Sequence, residues 1–192
     1  MGSGLTAGQE YEGYSQQIPG QVATLRRLVA ERRPTRILEI GFNAGHSADM
    51  FLAAAPAAHL LSFDLGRHPA VAVGKGFIDA RYPGRHTLVV GDSTASVPAF
   101  TALVADVRFE VLFIDGGHTE EVARADIANC RRLAAADAIV AVDDTVFTPG
   151  WEQPYTVGPT QAWLDAVRSG AVVELGREDY AVGRGMVWGR YR

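Results

Sequence analysis

The sequence is poor in cysteine: Cys130 is the only one in 192 residues, so no internal disulfide can form. A reducing compartment, the cytoplasm, is the expectation. It is also short of positive charge, with 18 Lys and Arg against 22 Asp and Glu and a net charge of −4. Domains held to nucleic acid by general electrostatics are usually basic, so no nucleic-acid partner is expected. No apolar run reaches the roughly 18 residues of a membrane span. Residues 1–10 lack the basic-then-apolar order of a secretion signal, so neither a membrane nor an export route is expected. Internal repeats and low-complexity linkers are missing too. What is present is a 47% hydrophobic, 21% charged chain, enough for one domain with a real core.

Residues 1–15 read as a polar arm carrying Tyr11 and Tyr14, the latter a candidate substrate contact. From Gln16 to Arg33 apolar residues recur at helical spacing until Pro34. Short apolar strands then alternate with helical stretches. Strands are expected at 36–40, 59–63, 87–90, 111–114 and 138–142, with helices at 47–55, 71–81, 96–105 and 120–133 between and after them. A Pro/Gly-rich loop is expected from Thr148 to Pro159, then a helix over 160–168 and a closing antiparallel pair at 172–175 and 185–189. Strands that are apolar throughout and alternate with helices define an α/β chain: a mostly parallel, doubly wound sheet with helices on both faces and an antiparallel C-terminal strand.

In such sheets ligands sit beyond the carboxyl ends of the strands. Here those ends carry Gly41, Asp64, Asp92, Asp115 and the pair Asp143-Asp144. The first turn, Glu39-Ile40-Gly41-Phe42-Asn43-Ala44-Gly45-His46-Ser47, lets backbone approach a ligand at Gly41 and Gly45 and leads into a helix N-terminus. Its glycines are four apart, which is not the GxGxxG of dinucleotide binders. Asp64 is placed to accept from ribose hydroxyls and Asp92-Ser93 to meet an adenine edge, which together make an adenosine site.

These motifs resemble those of class I S-adenosylmethionine-dependent methyltransferases, from about Gln16 to the C-terminus. The resemblance implies a Rossmann-like fold and S-adenosylmethionine as cofactor. It implies that the turn with Glu39, Gly41, Asn43 and Gly45 wraps the methionine part, that Asp64 holds the ribose, and that Asp92 and Ser93 lie by the adenine, with Asp115 also beside the cofactor. Ser47 either contacts the methionine carboxylate or simply caps its helix. Residues 1–33 would be an arm and helix serving as a lid, and 34–192 the methyltransferase domain.

Asp115, Asp143 and Asp144 end neighbouring strands, about 4.8 Å apart in a parallel sheet, and can converge. Clustered carboxylates repel unless neutralised, and all-oxygen ligands favour a hard ion, Mg²⁺, Mn²⁺ or Ca²⁺, over zinc, with Mg²⁺ or Mn²⁺ the expected cofactor. The alternative is that Asp143 and Asp144 only cap a turn. His118, after the tight turn Gly116-Gly117, is a candidate general base, since an unperturbed imidazole titrates near about 6.5; otherwise it caps the helix from Glu120. Trp151 and Tyr155, in the loop after the acidic pair, suit a polyhydroxylated acceptor, while Trp163 reads as core.

This second constellation resembles the metal-dependent O-methyltransferases, including the macrocin and mycinamicin type of sugar enzyme, whose basic residue is His where the catechol enzymes carry Lys. The resemblance implies methyl transfer to a sugar or glycosylated small molecule, with catechols as the alternative acceptor. A nucleotide-binding module without catalysis is the alternative of another class. A nicotinamide oxidoreductase is disfavoured by the glycine spacing and the lack of a Tyr-x-x-x-Lys pair. The sugar enzymes are longer at the N-terminus, so a short lid, or one completed by the second subunit of a homodimer, is expected.

Overall fold

A computed structural model describes residues 18–104 and 106–192. Helix α1 (Pro19–Arg32) opens with Pro at its first turn and ends where Arg33 turns left-handed ahead of Pro34. There follow β1 (Arg36–Ile40), α2 (His46–Ala54), β2 (His59–Asp64), α3 (Ala70–Arg81), β3 (His86–Val90), α4 (Ser93–Leu103), β4 (Phe109–Ile114) and α5 (Glu120–Arg131). The chain closes with β5 (Ala134–Asp143), α6 (Pro154–Arg168), β6 (Val172–Ala181) and β7 (Arg184–Tyr191). The sheet order is β3-β2-β1-β4-β5-β7-β6. The first five of these strands are parallel, and β7 runs antiparallel to both of its neighbours. This is the Rossmann-like, doubly wound architecture expected from the alternation.

Period-two alternation divides the core into two layers. Ile37, Leu60, Val111, Phe113 and Ile139 pack with Leu25, Leu28 and Val29 of α1, Phe51 of α2 and Ile78 of α3. Leu38, Leu61, Leu112 and Val140 face the other way, onto Val97 of α4, Ile127 of α5 and Trp163 of α6. Helix α1 thus shares the first layer of the main core. Trp163 is fully buried, as read, and its indole N–H donates to Glu174 Oε2 at 2.9 Å.

The stretch 154–159, expected to be loop, is helical. Pro154 occupies the first turn of α6, where a missing N–H costs nothing, and Gln153 with Thr156 forms a capping box. The last two strands are longer than the apolar residues alone indicated. The hairpin between them reaches back over the carboxyl edge of the sheet: Gly183 N–H donates to Trp151 O at 2.7 Å, and Tyr155 Oη donates to Gly183 O at 3.0 Å.

Candidate active site

The crossover between β1 and β2 is the first half of the site. Gly41, Asn43 and Gly45 all have positive φ, and Gly45 is the N-cap of α2. A Cβ on Gly41 would fall 1.8 Å from the carbonyl oxygen of Asp115, so only glycine lets the β1 and β4 loops touch. Asp64, at the end of β2, accepts from Phe42 N–H (2.9 Å), Asn43 N–H (2.8 Å) and Gly66 N–H (2.7 Å), tying the turn to the next strand. Asp92 caps α4, accepting from Thr94 N–H at 2.9 Å and Thr94 Oγ1 at 2.7 Å, bonds that hold its pKa below the usual carboxylate value. Ser93 is the first residue of that helix.

Glu39 is wholly buried in the middle of this half. It accepts from Ser47 Oγ, and from Ser62 Oγ at 2.6 Å. Burial outweighs these bonds and pushes its pKa up to about 7. Ser62 in turn meets His86 Nε2 at 3.0 Å, and the imidazole stacks on Phe42. Burial lowers the His86 pKa to about 4. Ser47 does not cap α2: the cap is Gly45, without a side-chain bond, and the Ser47 hydroxyl serves Glu39 instead.

The second half lies where β4 and β5 end. Asp115, His118 and Asp144 each bring a donor atom within 4.8 Å of the others. Asp144 has a left-handed backbone (φ 51), a conformation that Asp tolerates better than most residues. It reaches His118 Nε2 with Oδ2 at 2.9 Å and Arg184 with Oδ1 at 3.6 Å. His118 does not cap α5, because Thr119 is the N-cap and accepts from Val122 N–H. The imidazole lies 5.7 Å, centroid to centroid, from the Tyr155 ring, and Arg184 approaches the same ring.

Asp143 lies beside this trio rather than in it. Its Oδ2 accepts from Gln21 Nε2 of α1 at 2.5 Å and its Oδ1 from Asp144 N–H at 2.9 Å. Burial, then the neighbouring Asp144, raises its pKa to about 7 despite those bonds. Asp115 is pushed well above the carboxylate range by burial and by Asp143 and Asp144, with Arg184 pulling the other way. Burial and like charge raise Asp115 and Asp143 beside a third carboxylate, Asp144, and such a cluster is relieved by a cation. The carboxylate oxygens of Asp115 and Asp144 suit a hard divalent ion such as Mg²⁺ or Mn²⁺, with His118 beside it.

Helix α6 closes the cleft. A Cβ on Gly158 would lie 2.2 Å from His118 O, so this glycine lets α6 rest on the loop that carries the imidazole. Tyr155 lies beside His118, and Trp151 is joined to it through Gly183. Tyr14, the remaining candidate substrate contact, lies outside the described residues. Gln21, Gly158 and Arg184 were not singled out in the sequence. Gln21 meets the site across 122 residues and Arg184 through the β6–β7 hairpin, and no local pattern marks them.

Residues 38–145, more than half of the chain, match the family model described as a methyltransferase domain, and the chain belongs to that family. No curated protein matches it by sequence. Among solved structures it is similar to the O-methyltransferase from Bacillus cereus in complex with SAH: TM-score 0.74, 17% identity, 91% of this chain and 81% of that one covered. It is also similar to TomG from Streptomyces achromogenes, an O-methyltransferase involved in tomaymycin synthesis, in complex with SAM: TM-score 0.71, 19% identity, 90% and 79% covered. A third is the calicheamicin methyltransferase CalS11: TM-score 0.64, 20% identity, 88% and 76% covered. Among the described residues no helix is long and apolar enough to cross a membrane.

Proposed function

We propose that the chain transfers a methyl group from S-adenosylmethionine to a hydroxyl of a sugar or glycosylated small molecule, with Mg²⁺ or Mn²⁺ at the acidic cluster and His118 as general base. The observation that carries this reading is the convergence of Asp115, His118 and Asp144 beside a glycine turn with positive φ at Gly41, Asn43 and Gly45. Two of the similar structures are described with SAH or SAM bound, which supports the methyl donor.

The donor supplies an electrophilic methyl group, and the ion supplies Lewis acidity that makes a hydroxyl more acidic. The chain's own residues do the rest. Asp64 keeps the 42–43 turn in shape next to the ribose position, and Glu39 anchors Ser47 and Ser62 beneath it. Asp115 and Asp144 would hold the ion, with Asp143 adding charge from its place on Gln21. Asp144 Oδ2 orients the His118 ring, whose task is to take the acceptor hydroxyl proton. Trp151 and Tyr155 offer faces for a sugar ring, and α6 excludes water behind it.

The test is transfer of labelled methyl from S-adenosylmethionine to a panel of glycosides and catechols, with the products followed by mass spectrometry. Methylated glycoside formed with Mg²⁺ or Mn²⁺ and abolished by chelator is the expected result. Full turnover by verified metal-free protein would remove the ion from the reading. Preference for catechols would move the acceptor class.

A further inference from the structure

The tip of the β6–β7 hairpin hangs over the acidic cluster and delivers one cation to it. Arg184, the first residue of β7, is fixed at its backbone, because the preceding Gly183 is bonded to both Trp151 and Tyr155. Its guanidinium is not fixed in the same way. The side chain is 48% exposed, and Nη1 stands 3.6 Å from Asp144 Oδ1, an ion pair longer than a hydrogen bond. The other oxygen of Asp144 is already taken by His118 at 2.9 Å. Oδ1, which His118 does not engage, is the less occupied oxygen for a metal ion, and it is the one that Arg184 faces. The charge of Arg184 also reaches Asp115 and Asp143.

We propose that Arg184 and a divalent cation are competing partners of Asp144 Oδ1, so that Arg184 sets how tightly the site binds its ion. The inference rests on the ion reading given above. A guanidinium beside a divalent ion is repelled, while beside bare carboxylates it is attracted. Arg184 therefore favours the protein without the ion over the protein with it. A half-exposed, long ion pair is a weak one, so the competition is modest and the ion can win it. With its backbone held and its head group half exposed, the guanidinium would give way to the ion toward the Tyr155 face, which it already approaches.

The experiment is titration of the full chain with Mn²⁺, read by electron paramagnetic resonance and calorimetry, with no acceptor present. Arg184→Gln and Arg184→Met should each bind Mn²⁺ about twofold to fivefold more tightly than wild type. Arg184→Lys, which keeps the charge, should change affinity less than either. Asp144→Asn should weaken binding in every background, which assigns the signal to this site. Melting curves and binding of S-adenosylhomocysteine confirm that each variant is folded, and the two neutral variants guard against failure of one. Mn²⁺ binding that is saturable in wild type but unchanged or weaker in both neutral variants overturns the role of Arg184 and leaves the ion reading standing. No saturable binding in any variant overturns both.

Discussion

His118 Nε2 lies 2.9 Å from Asp144 Oδ2, joining the loop after β4 to the end of β5 across the candidate site. A carboxylate in this position sets the orientation of the imidazole and stabilises it when it takes a proton. Replacing His118 by alanine should therefore lower turnover by about 10²–10⁴-fold. Mn²⁺ affinity separates a base from a ligand. As a base, His118 can be lost with affinity nearly intact. A parallel collapse of Mn²⁺ binding and turnover would make it a ligand instead.

Gly158 should not tolerate a side chain. Its Cβ would meet His118 O at 2.2 Å and Glu120 N at 2.6 Å, both of them backbone atoms that cannot swing away. Gly158→Ala should cost about 1–3 kcal/mol of stability, as overpacking does, and should reduce turnover of the folded fraction by shifting the His118 loop. Denaturant melts and rates on the same sample check this. An unaltered rate would mean that α6 does not set the position of the imidazole.

Asp64→Ala removes the acceptor for three backbone N–H groups, two of them in the glycine turn. Hydrogen bonds to a charged group are worth roughly 1.5–3 kcal/mol each. We expect a lower melting temperature and, by calorimetry, S-adenosylhomocysteine binding weakened about tenfold or more. Wild-type affinity would take Asp64 out of the cofactor site.

Glu39 gives the stability of the protein a pH dependence of unusual sign. Folded, its carboxyl keeps a proton up to about pH 7, while the ordinary value is 4.5. Between those values the folded chain binds more protons than the unfolded one, so stability falls as pH rises. Glu39→Gln lacks this contribution. The wild type should lose on the order of 3 kcal/mol relative to the variant between about pH 4.5 and 7. His86, whose pKa is lowered to about 4, acts in the opposite direction, adding stability as pH rises towards 6.5. It is present in both proteins, so its effect largely cancels in the comparison. Chemical melts at a series of pH values measure the difference, and a constant offset would show that Glu39 is ionised throughout.

The sheet and its active edge were legible because each parallel strand is a short apolar run ending in Gly or Asp, a local pattern. The start of α6 was not legible. Pro154, Gly158 and Pro159 suggest a loop, yet Pro suits a first helical turn and Gly158 is there for close packing. The arrangement of the acids was half legible. That Asp115, Asp143 and Asp144 gather follows from strand order. That Asp143 turns to Gln21 while Asp144 turns to His118 depends on a helix 122 residues away and on the left-handed backbone at Asp144. Arg184 enters through hairpin geometry, which no motif encodes.

The proposed function stands or falls on whether Asp115 and Asp144 hold a divalent ion beside the methyl donor. A crystal structure of the protein with S-adenosylhomocysteine and Mn²⁺, with diffraction collected at the manganese absorption edge, tests it directly. One anomalous peak is expected in contact with carboxylate oxygens of Asp115 and Asp144, next to the sulfur of the cofactor product. Cofactor product bound in the cleft with no anomalous peak at these acids, at saturating Mn²⁺, would contradict it.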